Sequence, residues 1–217
     1  KRLGRQAARE LPARLQGWLT LFELDELTGL LAPGYLEYAK EGLLAARYRE
    51  LAGRAAGAEP LNLALYLNAG TYLLDDLNVK VDRAAMAASL EARSPFLDTA
   101  LMEYAFSLPG RFKLQGRTTK WILKRAFAEL LPSEIFTRRK MGFGVPLGAW
   151  FRTELKSFLE ERLLQHGARV HELVRRDALE RVVRRHHAGL EDYALQLWAL
   201  WMLELWLRRE ASVQGAR

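Results

Sequence analysis

YLLDDLNVKVDRAAMAASLEARSPFLD, residues 72–98, carries two patterns at once: an apolar stripe of helical period and a set of charges threaded through it. Leu77, Val81, Ala84 and Ala88 recur at three- and four-residue steps, which is one face of a helix. The stripe is built from small side chains, so this helix is expected to pack closely on a neighbour. Asp75 and Asp76 stand at its expected start, where carboxylates satisfy free amide groups and meet the positive end of the helix dipole. The same pair has a second possible use, as a carboxylate aimed into a site, either orienting a substrate by hydrogen bonding or acting through bound magnesium. Both readings stay open on the residues alone. Arg83 and Glu91 are eight positions apart and share a face if one helix runs through both. Asp82, Glu91 and Arg93 flank a run of Ala, Met and Leu, a mixture that predicts a buried, mutually paired structural network rather than direct chemistry. Pro95 fixes the exit from the helix, and Asp98 is placed to cap the next one.

Helical periodicity extends along the rest of the chain, and strand signals are scarce. Helices are expected from near Pro12, over 61–74, over 100–107 up to Pro109-Gly110, and over 118–130 up to Pro132. Others are expected over 150–164, with Phe151, Leu155, Phe158 and Leu159 on one face, and over 176–187 and 192–209. Ala32-Pro33-Gly34 reads as a turn and residues 52–60 as a surface loop. There is no internal repeat and no heptad run long enough for a coiled coil. The expected fold is therefore mainly α, and a chain so poor in sheet looks like one lobe of a larger fold.

The 217 residues are 50% hydrophobic, enough for one sizeable core and a satellite. The absence of cysteine excludes disulfides, thiolate zinc sites and cysteine nucleophiles. The opening KRLGRQAARELPARL has charges where a secretory leader needs an apolar run, and LQLWALWMLELWL (195–207) is too short to span a bilayer. A cytoplasmic protein with that last segment as a core helix is expected. Trp198, Trp201 and Trp206 should then be packing residues. His166, His171, His186 and His187 make no metal pattern, and the RRHH run at 184–187 reads as a polar helix face. No G-x-S-x-G supports a serine nucleophile.

The formal charge of +7 is concentrated. Residues 111–140 hold nine Lys or Arg against two acids, an excess equal to that of the whole chain. The run ends in RRKMGFGVPLGAW, 138–150. Gly142 and Gly144 flank Phe143 directly after Lys140, and glycine permits close approach to a ligand. Lys140 is a compact ammonium suited to phosphate or pyrophosphate, and Arg138 and Arg139 can do similar work or pair with acids elsewhere. This is not a G-x-x-x-x-G-K-[ST] phosphate loop, because its glycines follow the cation. Anion binding and a solvated basic turn both remain open.

Taken together, residues 72–98, LPGRFKLQGRTTKWILKRAFAELLPSEIFTRRKMGFGVPLGAW (108–150) and LWALWMLELWL (197–207) resemble the C-terminal part of glutamine-hydrolysing asparagine synthetases. The resemblance covers about residues 60–209 and rests on D-R-x-x-M-A-x-x-x-E-x-R-x-P-F-L-D and R-x-K-x-G-F-x-x-P. Residues 1–59 fit more loosely. The resemblance implies a domain division at 1–59, 60–209 and a tail at 210–217. It also implies the helical lobe of an α/β ATP-pyrophosphatase-type synthetase domain whose nucleotide-binding sheet is largely absent from this chain. In such enzymes a carboxylate attacks the α-phosphate of ATP, with magnesium, and ammonia from a glutaminase domain displaces AMP from the acyl-adenylate. Lys140 matches the family lysine that lies against the phosphates, with Arg139 beside it. Asp75 or Asp76 matches a carboxylate that contacts substrate or intermediate, while Asp82, Arg83, Glu91, Arg93 and Asp98 match positions that hold the lobe together.

The departures are as informative. A catalytic amino-terminal cysteine, the serine-glycine-glycine-x-aspartate-serine pyrophosphate loop and the S-G-E-G-x-D-E segment have no counterpart here. The lobe is therefore expected to be inactive alone and to need glutaminase and nucleotide-binding segments, on the same gene product or on a partner chain. Its expected co-substrates are ATP, glutamine or ammonia, and a carboxylate for which aspartate is the default. A homodimer is possible, and neither nucleic acid nor membrane is expected as a partner. Two rival readings are a lobe that is silent or serves another carboxylate, in peptide, sugar or lactam chemistry, and a basic nucleic-acid-binding helical domain. The last needs cations on one exposed helix face, whereas Trp121, Ile122 and Phe127 interleave with Lys120, Lys124 and Arg125.

Overall fold

The computed structural model describes residues 9–139 and 144–215. These residues are mostly helical, and the sole sheet among them is a two-stranded hairpin. They divide into two compact units, each discontinuous in the chain: 9–19 with 43–139, and 20–42 with 144–215.

In the first unit, α1 (Leu11–Leu19), α4 (Leu43–Arg54) and α5 (Pro60–Asn68) pack around Tyr48, Leu51 and Leu67, with Leu15, Leu63 and Tyr66 against them. Pro60 supplies the preset first turn of α5. Gly70 lets the chain approach α4, because a β-carbon there would lie 3.1 Å from the Leu51 side chain. The Thr71 hydroxyl donates to the Leu67 carbonyl (2.7 Å) and meets the Tyr48 hydroxyl at 3.2 Å. From α5 the helix does not end. It continues through a π-helical stretch, Ala69–Asn78, into α6 (Val79–Ala87).

Asp75 and Asp76 therefore lie inside a continuous helix and not at its start, so they cap nothing there. The helix also stops short of Glu91. Ser89 takes φ +58, its N–H donates to the Met86 carbonyl, and Leu90 N–H reaches back to Ala85, both at 2.9 Å. This is the double hydrogen bond of a Schellman ending, with serine where glycine is usual. Arg83 and Glu91 consequently do not share a helix face. Asp98 caps α7 (Thr99–Ser107) through a 3.0 Å bond from Leu101 N–H, as its position predicts.

Beyond α7, the segment expected to be helical from 118 instead begins with a hairpin. β1 (Leu114–Gln115) pairs antiparallel with β2 (Thr118–Thr119), and Gly116 takes φ +57 in the two-residue turn. Only Trp121–Ala126 (α8) is helical before a short α9 (Ser133–Thr137).

The second unit contains α2 (Leu24–Leu30), α3 (Leu36–Glu41), α10 (Leu147–Trp150), α11 (Lys156–Leu164), α12 (Arg176–His187) and α13 (Ala194–Gly215). Its core is Leu30, Phe151, Leu159, Leu163, Val174, Leu179, Val183, Leu197 and neighbours. The expected helix over 150–164 is broken into α10 and α11. The Thr153 hydroxyl bonds back to the Ala149 carbonyl (2.8 Å), and Leu155 N–H skips to Trp150 (2.7 Å), a pattern that bends helices. Phe151 and Leu159 still reach the core, while Phe158 is exposed beside Trp201, 5.2 Å between ring centroids.

In α13 the expectation is partly inverted. Glu204 is fully buried, accepting from Val170 N–H at 2.7 Å and pairing with Arg208. Trp201 is half-buried, with Phe151 5.9 Å away, but Trp198 is exposed and Trp206 is 56% exposed. Among the described residues, no helix is long and apolar enough to cross a membrane.

Candidate functional site

The described site candidates, Asp75, Asp76, Asp82, Arg83, Glu91, Arg93, Asp98 and Arg139, come from the first unit, on and after the long helix. Asp75 is exposed in the π-helical stretch and makes no ion pair among the described residues. Asp76 is half-buried and pairs with Lys80 one turn on, 3.2 Å away. Such an exposed pair contributes little to stability. Successive residues in a helix point in different directions, so the two carboxylates address different surroundings.

The buried network expected of Asp82, Arg83, Glu91 and Arg93 is not formed. All four are exposed, and the only pair among them is Glu91 with Arg93 at 2.7 Å, both well exposed. The reason is that no element among the described residues covers them. From Tyr72 to Trp150, Gly110 is the one buried residue among those described. Met86, Leu90, Phe96, Tyr104, Leu130 and Ile135 all stand in solvent, Leu130 at 73% exposure. Monomers rarely leave so much apolar surface open unless it meets something.

Arg138 ends α9, and both it and Arg139 are exposed. Lys140, with Met141, Gly142 and Phe143, lies outside the described residues.

Sequence reasoning missed a polar knot that pins the α7–hairpin connection to α5. The Glu59 carboxylate accepts from Gly110 N–H at 2.7 Å. Asn62 donates to the Leu108 carbonyl at 3.1 Å and accepts from Lys113. Lys113 also lies 5.6 Å from the Phe106 ring centre, and burial lowers its pKa from the ordinary lysine value, with Glu59 opposing. This lysine is thus a structural tie, and only the polar Glu59 and Asn62 at the start of an otherwise apolar helix hinted at it.

Among the described residues there is no group of three or more His, Asp or Glu able to hold a metal ion. A magnesium ion at these residues would therefore take most of its ligands from substrate phosphates and water, with one or two carboxylates at most from the described residues. Two open clefts lie in the second unit. One of about 240 Å³ has Asp25, Glu26, Arg181 and Arg185 in its walls. Another of about 370 Å³ is mostly apolar, lined by residues such as Tyr35, Tyr38, Leu173 and Leu203. Neither contains a glycine-rich phosphate cradle.

Comparison with known proteins supplies what geometry alone does not. The asparagine synthase family matches residues 3–208. A Mycobacterium bovis protein provisionally named as a glutamine-hydrolysing asparagine synthetase is 34% identical over 153 residues, 70% of this chain and 23% of that protein. Glutamine-hydrolysing asparagine synthetase 1 of Bacillus subtilis is 27% identical over 146 residues, 67% of this chain and 23% of its own length. Asparagine synthetase 3 of the same organism is 30% identical over 118 residues, 54% of this chain and 19% of its own. This chain thus spans less than a quarter of the length of these relatives. No solved structure matches it. The match takes in residues 3–59 as well as the motif-bearing remainder, so on sequence the chain belongs to the asparagine synthase family.

Proposed function

We propose that these residues are the helical lobe of an ATP-dependent amide-forming ligase, and that their exposed face is the seat of its nucleotide-binding half. The observation that carries this reading is the coincidence of a family match over 3–208 with an uncovered apolar surface on the segment holding the motifs. In the proposed reaction a carboxylate oxygen, by default from aspartate, attacks the α-phosphorus of ATP. The bridging α–β bond breaks, and pyrophosphate leaves. Ammonia derived from glutamine then attacks the acyl carbon, AMP departs, and the nitrogen loses a proton to give the amide.

In this reading Lys140 offsets negative charge as pyrophosphate separates, with Arg139 adjacent. Asp75 or Asp76 orients the substrate or the adenylate. Asp82, Arg83, Glu91 and Arg93 acquire their partners from the nucleotide-binding half, which also supplies ligands for magnesium. Asp98 keeps its capping role at the start of α7.

The test uses the longest natural polypeptide containing these residues. ATP–pyrophosphate exchange is assayed with aspartate in the wild type and in Lys140→Ala. The expected result is exchange in the wild type and a loss of about 10²-fold or more in the variant, with an unchanged circular-dichroism spectrum. Equal exchange in both would remove Lys140 from the mechanism. Absence of exchange in both would exclude aspartate and send the search to other carboxylates or to a silent lobe.

A further inference from the structure

We propose that His186 is an acid-released cap on α13: when neutral it holds the start of that helix to α12, and when protonated it lets go. The proposal concerns the second unit alone and goes beyond the ligase reading.

His186 is fully buried, although its RRHH setting predicts a polar face. Its Nδ1 accepts the Tyr193 backbone N–H at 3.1 Å. Accepting requires a lone pair, so the neutral ring carries its hydrogen on Nε2, which is buried without a partner. Asp192 Oδ1 accepts the next amide, Ala194 N–H, at 3.2 Å. Two side chains thus hold the first amides of a 22-residue helix, whose N-terminal end repels added positive charge. Protonation at Nδ1 would turn an acceptor into a donor facing a donor.

The cap is built into a tight joint. Asp192 lies 3.6 Å from His186 Nδ1 and 3.9 Å from Arg152. A β-carbon on Gly148 would stand 3.1 Å from Asp192 Oδ1 and 3.2 Å from the Arg152 guanidinium, so α10 itself closes directly on the cap. The Phe151 ring meets His186 edge-on at 6.4 Å.

The groups facing His186 are Arg152, Asp192 and His187, and His187 in turn faces Glu160 (3.1 Å) and Lys156 from α11. Burial is the largest influence on His186 and lowers its pKa from the ordinary imidazole value. Arg152 and His187 act in the same direction, while Asp192 and the Gly148 backbone oppose. A depressed folded-state pKa means that the unfolded chain binds more protons. The stabilisation is present above about pH 6.5 and is lost as pH falls through the folded-state value.

Hydrogen exchange by mass spectrometry, corrected for the intrinsic pH dependence, reads the cap in the peptide covering 190–198. Wild type and His186→Asn are compared at about pH 7.5 and about pH 5.5. Asparagine keeps an acceptor oxygen near the Nδ1 position but does not titrate. The expected result is a loss of protection of about tenfold in the wild type at the lower pH and no such loss in H186N. Equal pH dependence in both, or none in the wild type, overturns the proposal. If H186N does not fold, the His186 ring resonance titrated by NMR in the wild type decides. A value below that of an unfolded-chain histidine supports the cap, and one at or above it overturns it.

Discussion

Two stretches of the chain behave oppositely. Residues 151–204 bury Phe151, Leu159, Val170, Leu179, Val183, Leu197 and even Glu204, whereas residues 72–150 bury Gly110 alone among those described. Both are helical and rich in apolar side chains, so composition does not separate them. What separates them is whether other described residues of the chain cover them. The second unit closes on itself through α11, α12 and α13. The stretch after α5 leaves a comparable stock of Leu, Phe and Met uncovered by the described residues, and it is also the stretch that carries the family motifs.

The comparison is sharpest for core truncation. Leu197→Ala should destabilise the chain by about 3 kcal/mol, since a fully buried leucine leaves a cavity. Leu130→Ala should change stability by no more than about 0.5 kcal/mol. Chemical denaturation of both variants checks this, and similar losses would mean that Leu130 is buried in solution. Polar contacts give a smaller contrast. Glu204→Ala strands the buried Val170 N–H and should cost about 2 kcal/mol, against about 1 kcal/mol for Asp98→Ala at the exposed cap of α7. Thermal unfolding followed by circular dichroism would rank the two.

The sequence was legible where one local rule governs. The helix expected over 176–187 is α12, residue for residue, and Asp98 caps as read. It misled where the rule needs a partner surface. A mixed charged and apolar pattern predicts burial only if something covers it, and none of the described residues lies over Asp82, Arg83, Glu91 and Arg93, which are exposed. In α13 apolar residues occur all round, leaving no stripe to identify the inner face. The helix turns Glu204 inward and Trp206 outward because Leu197, Leu200 and Glu204 fall at steps of three and four. The burial of His186 had a signal that the RRHH run concealed. Leu179, Val183 and His186 follow at four and three, one stripe of an amphipathic helix. The end of α6 at Ser89 carried no such signal, since serine in a left-handed conformation replaces the expected glycine.

The most direct test of the central claim is hydrogen exchange measured across both stretches, once in the 217-residue chain and once in the longest natural polypeptide that contains it. The account predicts that peptides from 79–101 and 127–135 gain about tenfold or more protection in the longer polypeptide, while those from 156–204 stay as they were. Unchanged exchange over 79–101 and 127–135 would contradict it, because the apolar face would then be as open in the whole protein as it is in this chain.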